Sequence, residues 1–528
     1  MSEPMSESST VSPVRRWATA HPWQASLRAA WVLLNLLLGG ASGAFLAWGP
    51  LGGTWPLMAV LGMAGAIVPA ALWARQQIAA IQGSHETARR WRRNLLGGQA
   101  AILAGVVMLS AVQLYQAGTF APLGQDRLAN FDRLWRAMDA HYPYFQQKGI
   151  QWEELAARYR PRIAEASSDQ EYYLLIENML AELNDGHTGL SPSLAFQADC
   201  TFAWTREMDG QAVVTVARGS GMQAGLEVGS VILSVDGLPV EQALASVAPS
   251  LRVGSTPWKR RSLAFHNLLH TPFGSQREIT FQTPAGEERT TTLACIEQVA
   301  RAEAESGDVW GLLLPTYERQ IVSRRLPSGL GYIGIPTFGT DLVADFDAAL
   351  DELLDAPGLV LDLRGNGGGN SAYADQMAGR FLSEPFVYGH DHFRGRLPQR
   401  GWRASIPFKV EPRKPLYEGP VVIIVETQNM SSAEQFLVSL VDSGRVQTVG
   451  RRTAGASGNP IVFRLPGAHN VRFSSADFRR NDGTPIEGVG IAPDVEVAWT
   501  VEDLRQGRDS DLAAAEALLL DSPAQGPR

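Results

Sequence analysis

The sequence predicts an α/β fold, a sheet covered by helices, reached through a helical region and a β-rich insert and preceded by membrane-spanning segments. Three observations carry this. From Gly329 onward, strand-like runs alternate with helix-periodic runs. Between Thr201 and about Glu297, short strand-like runs and tight turns dominate. Nothing from Ala29 to Ala74, or from Asn94 to Gln125, is charged.

The α/β region is the most regular. LGYIGIPTF reads as a strand, and DLVADFDAALDELLDAP as an amphipathic helix with Leu342, Phe346, Leu350 and Leu353 on one face. GLVLDLRGNGGGN is a buried strand ending in glycines, and SAYADQMAGRF starts another helix. The β-branched run Val421 to Val425 is the next buried strand. A polar break, Glu426 to Met430, leads to Ser431 and Ser432, at the mouth of a helix carrying Phe436, Leu437, Leu440 and Val441. Functional groups in such a fold are expected at strand ends.

The uncharged stretches contain three apolar segments, Ala29–Trp48, Trp55–Ala74 and Leu96–Tyr115. Each is about 20 residues, enough for a helix to cross a bilayer core of roughly 30 Å. Buried core helices are the other reading of any one of them, but three together, with Trp and Tyr near their ends, favour spans. Arg15, Arg16 and Arg28 precede the first segment, and Arg75, Arg89, Arg90, Arg92 and Arg93 lie between the second and third. The positive-inside rule then puts residues 1–28 and the loop 75–93 in the cytoplasm, and everything after about Asp126 outside, which in a bacterium means the periplasm or outer face. The 528 residues leave room for two or three domains. A net charge of −8 gives no reason to expect a nucleic-acid partner. Cys200 and Cys295 both fall in the exported part and bracket the insert; a disulfide is permitted there, and two separate buried thiols are the alternative.

Residues 126–200 read as helical, in LWRAMDAHYPYF, WEELAARYRPRIAEA and DQEYYLLIENMLAEL. Pro161 is expected to kink or end the second helix. The third runs into NDGHTGL, where Gly186 supplies a stop and His187 follows. A histidine in a turn is commonly structural, yet it is the side chain best suited to act as a base near neutral pH. In the insert, residues 201–297, the succession Ala224-Gly225-Leu226, Val228-Gly229-Ser230-Val231-Ile232 and Val235-Asp236-Gly237 resembles a PDZ domain. That resemblance implies capture of an extended or C-terminal peptide by strand addition; a small β-domain used only for packing is the alternative.

Ser431 has two readings. One is an N-cap, its hydroxyl satisfying a free N–H of the first helical turn. The other is a nucleophile, because a strand-to-helix turn exposes the hydroxyl and aims helix N–H groups at a developing oxyanion. The cluster Gly365-Asn366-Gly367-Gly368-Gly369-Asn370 lacks the Lys-Ser/Thr pair of a phosphate loop and the last glycine of a dinucleotide site, but it can lend N–H groups to an oxyanion. No HExxH or clustered Cys/His spacing calls for a metal, and no cofactor is implied.

The order of parts is more specific than any one motif. DGHTGL, the insert, IGIPTF, LVLDLRGNGGG, NMSSAEQF, VGRRTAGASGNP and IEGVGIAPDVEV succeed one another over roughly Phe131 to Val497. This succession resembles the C-terminal processing (tail-specific) peptidases and their tricorn-core relatives. The resemblance implies a crotonase-like (ClpP-like) α/β peptidase core at residues 298–500 and hydrolysis of peptide bonds. By matching position it makes Ser431 the nucleophile, and the Ser432 N–H with one glycine N–H, Gly367 or Gly368, the oxyanion donors. Many members activate the serine with a lysine in a downstream G-K-G segment. Here Ala456 holds that position, and no lysine follows Lys414. Tricorn-like members use a histidine and a glutamate, and His187 and Glu487 stand at the matching places. Tricorn carries a serine just before its histidine, bridging toward the glutamate, where this chain has Gly186; Thr188 is one substitute, and the others are Glu487 acting directly, through water or not at all.

The expectation is a membrane-anchored serine endopeptidase acting through an acyl-enzyme on exported proteins or peptides, held through their C-terminal tails, with the lipid bilayer as its other partner. A catalytically inactive peptide-binding protein on the same core is the rival, and hydrolysis of another acyl substrate a third reading. A histidine base predicts loss of activity as pH falls through roughly 6–7. DSDLAAAEALLL, within residues 501–528, is expected as a final helix, and Met1–Pro13 and Ser522–Arg528 as disordered ends.

Overall fold

The computed structural model describes residues 126–194, 200–296, 320–339, 342–394, 403–467 and 469–521. The three apolar segments and both chain ends lie outside them. Among the described residues, no helix is long and apolar enough to cross a membrane.

The helical region holds α1 (Arg127–His141), α2 (Trp152–Glu165) and α3 (Asp169–Ala181). The Asp126 carboxylate accepts from the Leu128 and Ala129 N–H groups at the start of α1, and the Ser168 hydroxyl from that of Glu171 at the start of α3. Phe131, Leu134 and Met138, with Trp152, Leu155, Tyr159 and Ile163, form the buried faces of α1 and α2. They pack with Tyr172 and Ile176 against Phe463, Leu465, Val471 and Phe473 of the later chain. Helix α2 does not end at Pro161 but continues through it: both Pro161 and Ala157, whose carbonyl the proline leaves without a donor, are exposed, so water can serve that carbonyl. The expected stop at Gly186 needs correction. Helix α3 ends at Ala181, well before Gly186; Asn184 turns the chain at φ 47°. Strand β1 (Gly189–Ser191) follows and pairs with the later strand Asn470–Phe473, fixing the chain just after His187 to a sheet edge.

The insert contains β2 (Cys200–Thr201), β3 (Ala203–Met208), β4 (Gln211–Ala217), α4 (Gly219–Gln223), β5 (Val231–Val235), β6 (Leu238–Pro239), α5 (Val240–Ser246), α6 (Pro257–His266), β7 (His270–Thr271), β8 (Gln276–Gln282) and β9 (Glu288–Ala294). Its sheet runs β3-β4-β5-β8-β9 with β6 beside β5, so β3 and β9 are its edges. Cys200 and Cys295 form a disulfide that closes the insert at its base. Closing a loop of that length restricts the unfolded chain by about 4–5 kcal/mol in the chain-entropy picture.

The core follows with β10 (Val322–Arg325), β11 (Gly331–Gly334), α7 (Leu342–Asp351), β12 (Leu359–Asp362), α8 (Ser371–Ala378), β13 (Phe386–Arg394), β14 (Arg403–Val410), β15 (Val421–Val425), α9 (Ser432–Asp442), β16 (Gln447–Gly450), β17 (Ile461–Arg464), β18 (Asn470–Phe473), β19 (Ala476–Arg480), β20 (Val495–Glu496), α10 (Val501–Gln506) and α11 (Ser510–Asp521). The main sheet is ordered β10-β11-β12-β15-β16-β20, parallel from β11 onward. Helices cover both of its faces, which is why Val421 to Val425 is apolar at every position. Val421, Ile423 and Val425 join Phe346, Met377 and Phe436 on one side, while Val422 and Ile424 join Ala515 and Leu519 of α11 on the other. Two antiparallel sheets, β1-β18-β17 and β14-β13-β19, flank it.

Buried polar side chains tie the strand ends together. Asn429 donates to the Leu363 and Asn366 carbonyls and accepts from the Glu426 N–H, and Asn366 donates to the Ile335 carbonyl. Arg364, 2% exposed, pairs with Asp362 at 2.6 Å, Asp509 at 2.7 Å and Asp511 at 3.3 Å. That network joins the end of β12 to the start of α11. Replacing Arg364 with Met strands buried carboxylates, which predicts a stability loss of about 3–5 kcal/mol in chemical denaturation. An unchanged midpoint would show that the network contributes little.

Candidate active site

The site forms where the carboxyl ends of β12 and β15 meet the loop after α3. Ser431 immediately precedes α9 and takes φ 59°, ψ −129°. A non-glycine residue held there stores about 1–3 kcal/mol of strain. Its N–H donates to the Ala456 carbonyl at 2.8 Å, and its own carbonyl accepts from the Glu434 and Gln435 N–H groups. Gly368, at φ +102°, backs onto the turn: a Cβ there would lie 2.8 Å from both Ser431 Cβ and the Met430 oxygen. This close approach explains the glycine. The Ser431 hydroxyl makes no capping bond to the helix, so the N-cap reading of its side chain does not hold.

Two N–H groups near this hydroxyl are unspent. Among the described residues, neither the Ser432 nor the Gly367 N–H has a hydrogen-bond partner, and Gly367 faces open space. The Gly368 N–H is committed to Asn366 Oδ1 at 2.8 Å. Of the two glycines considered as donors, Gly367 is therefore the one with a free group.

His187 is 3% exposed, and neither ring nitrogen has a hydrogen-bond partner among the described residues. Burial pushes its pKa down to about 4, with the Asp185 charge raising it and Arg472 lowering it. Gly186 explains its position. A Cβ on Gly186 would sit 3.2 Å from Ala456 Cβ, 3.5 Å from Met430 Cε and 3.7 Å from Ser255 Oγ. The residue before His187 thus packs on the residue before Ser431 and on Ala456, whose carbonyl holds the Ser431 N–H. His187 and Ser431 are brought into one neighbourhood without a hydrogen bond between them.

Glu487 is fully buried in the same region but does not bond the His187 ring. Its Oε2 accepts from the Ser457 N–H at 3.0 Å, and Oε1 pairs with Lys148 Nζ at 2.6 Å. Burial, then the Asp185 charge, lift its pKa to about 7, with Lys148 pulling against them. Asp185 is the carboxylate whose charge bears on His187. It is fully buried, accepts from the His187 N–H at 2.9 Å and takes the Thr188 hydroxyl at 2.6 Å. Thr188 is therefore turned toward Asp185 and away from the bridging role considered for it.

Sequence reasoning missed several groups. Asp185 lies in the quoted NDGHTGL stretch, but nothing in the spacing distinguishes it from a turn residue. Glu434 accepts from the Thr453 hydroxyl and from the Gly455 and Ala456 N–H groups, holding the segment that holds Ser431. Its pKa is raised to about 8 by burial. Two lysines from far upstream also reach the region. Lys148 binds Glu487, and Lys259 donates to Gln428 Oε1 with its pKa lowered to about 8 by burial. The absence of lysine after Lys414 did not exclude ammonium groups from the site. The insert docks here as well: Arg206 pairs with Glu426 at 3.0 Å, Thr256 donates to the Ala454 carbonyl, and Trp258 to that of Thr453.

Comparison with known proteins agrees with this architecture. Residues 329–497 match the model of peptidase family S41, and residues 124–181 that of the tricorn protease C1 domain. Tricorn protease homolog 1 of Streptomyces coelicolor is 25% identical over 420 residues, 75% of this chain and 36% of that protein. The chloroplastic C-terminal processing peptidase of Tetradesmus obliquus is 26% identical over 393 residues, 70% of this chain and 76% of the relative. The chain thus spans about a third of the length of the Streptomyces relative. Among solved structures, mature CPAF in complex with lactacystin superposes with a TM-score of 0.58 at 17% identity, over 75% of this chain and 97% of that one, a likeness of fold. Residues 329–497 are thus similar to peptidase family S41, and the stretch ahead of them, residues 124–181, to the tricorn protease C1 domain.

Proposed function

We propose that the protein is a membrane-anchored serine endopeptidase of the C-terminal processing type, acting outside the cytoplasm through an acyl-enzyme on Ser431. The observation that carries the reading is the strained Ser431 turn with its hydroxyl unspent as a cap, beside two N–H groups without partners. His187 takes the Ser431 proton as the alkoxide attacks the peptide carbonyl. The oxyanion rests on the Ser432 and Gly367 N–H groups, each contributing about 3 kcal/mol to the transition state. The imidazolium returns its proton to the leaving amine, and water hydrolyses the acyl-enzyme. Asp185 supplies the compensating negative charge for the imidazolium, and Glu487 with Lys148 braces the wall behind it. The insert, read as PDZ-like, takes substrate tails along an edge strand. Its contacts with Glu426, Gln428, Thr453 and Ala454 support a placement next to the cleft. The apolar segments within residues 29–117 support the anchor, and the arginine pattern supports the orientation.

The inactive-binding reading draws on the missing His187–Ser431 bond, and turnover decides between the two. Peptide hydrolysis by the full chain is expected to be lost in Ser431→Ala and to fall by about 10³-fold or more in His187→Gln. Lys259→Met, which removes an ammonium group bound to Gln428, is expected to cost far less than His187→Gln. Equal turnover by Ser431→Ala and the parent would remove the mechanism.

The pH profile separates the two bases. His187 must be neutral to accept the proton, and its pKa is depressed to about 4, so it stays competent well below the ordinary value of 6.5. The acid limb of kcat/KM is expected below pH 6.5, with activity lost as pH falls through it. A limb near pH 8 that disappears in Lys259→Met would instead identify Lys259, which must lose a proton to act as a base.

A further inference from the structure

The segment entering α6 crosses behind the site. Ser255 is buried there, and its Oγ accepts from the Gly186 N–H at 3.1 Å. Its backbone oxygen lies 4.0 Å from where a Cβ of Gly488 would stand, so Ser255 sits between the residue before His187 and the residue after Glu487. The next residue, Thr256, is bonded to the Ala454 carbonyl at 2.9 Å, which fixes Ser255 against the core. With Gly186 contributing no side chain, the nearby side-chain oxygen is that of Ser255, 3.7 Å from the Gly186 Cβ position.

We propose that Ser255 is a positioning residue for the peptidase reaction: its hydroxyl accepts from the Gly186 N–H and donates toward the Glu487 carboxylate, locking the His187 loop to the wall of the cleft. The inference rests on the peptidase reading above. Ser255 touches neither the scissile bond nor the Ser431 hydroxyl; it acts by holding the chain that carries the imidazole. The hydroxyl also lowers the Glu487 pKa, against the larger effect of burial. The charged and titratable groups facing this pair come from several elements. Asp185 and Arg472 bear on His187, and Asp185 and Lys148 on Glu487. Glu487 in turn bears on Tyr142, Tyr144 and Glu434. A serine supplied from the insert side of the chain makes the insert part of the catalytic geometry.

Ser255→Ala and Ser255→Thr in the full chain test this, with Ser431→Ala as the control for the reaction itself. Ser255→Ala is expected to lower kcat by about ten- to a hundredfold with KM within about twofold, as for a small misplacement of a reacting group. Loosening the loop admits water, so the acid limb of the profile is expected to move up toward 6.5. Ser255→Thr, which keeps the hydroxyl, is expected to restore most of kcat and return the limb. NMR titration of His187 in the Ser431→Ala background, assigned by its loss in His187→Gln, is expected to show the same upward shift on adding Ser255→Ala. An unchanged kcat and an unchanged His187 titration in Ser255→Ala would overturn the proposal. Should Ser431→Ala itself retain turnover, the peptidase reading fails, and the titration alone decides whether Ser255 holds His187. If Ser255→Ala fails to fold, the same comparison between Ser255→Cys and Ser255→Thr decides: equal kcat and equal titration overturn the proposal.

Discussion

The arrangement depends on keeping a serine in a backbone conformation that it does not favour. Ser431 at φ 59° is held by the Ala456 carbonyl, by the pressure of Gly368 behind its Cβ, and by the first turn of α9 ahead. Each support is itself supported. Ala456 is fixed through its N–H by Glu434, and the glycine turn by Asn366 and Asn429. A side chain that could have satisfied the helix is left without a capping bond. This is strain stored locally and sustained by a rigid parallel sheet.

The same contacts explain how His187 comes into the neighbourhood of Ser431. Ala456 is 1% exposed, packed where the chain of Gly186 passes. A long side chain at 456, or any side chain at 186, would compete for that space. The small pair lets the loop after α3 come close enough to deliver His187. The cost is a set of buried carboxyl groups, Asp185, Glu434 and Glu487, whose polar atoms must find partners where water is excluded. Glu434 does so with three donors and Glu487 with Lys148 and Ser457.

Much of this was legible in the sequence for physical reasons. Val421 to Val425 could only be a strand covered on both sides, and the Ser431 turn followed from the polar break after it. The glycine cluster pointed to N–H donors, though not to which would remain free; that depended on Asn366, whose side chain takes the Gly368 donor. The helix stop at Gly186 was misplaced because the glycine serves packing against Ala456 and Met430, a contact with residues some 250 positions away. Asp185, Ser255, Lys148 and Lys259 were illegible for the same reason. Their partners lie in distant segments, and no local periodicity records such pairings. The small sheets β1-β18-β17 and β14-β13-β19, built from short strands across long loops, left no usable pattern either.

The central claim is that the Ser431 hydroxyl is a nucleophile activated by His187. Labelling with a serine-directed fluorophosphonate at neutral pH, followed by peptide mass mapping, tests it without knowledge of the natural substrate. The account predicts one covalent adduct, on Ser431, formed by the parent chain and suppressed in His187→Gln. No adduct on Ser431, or an adduct formed equally fast without the histidine, would contradict it.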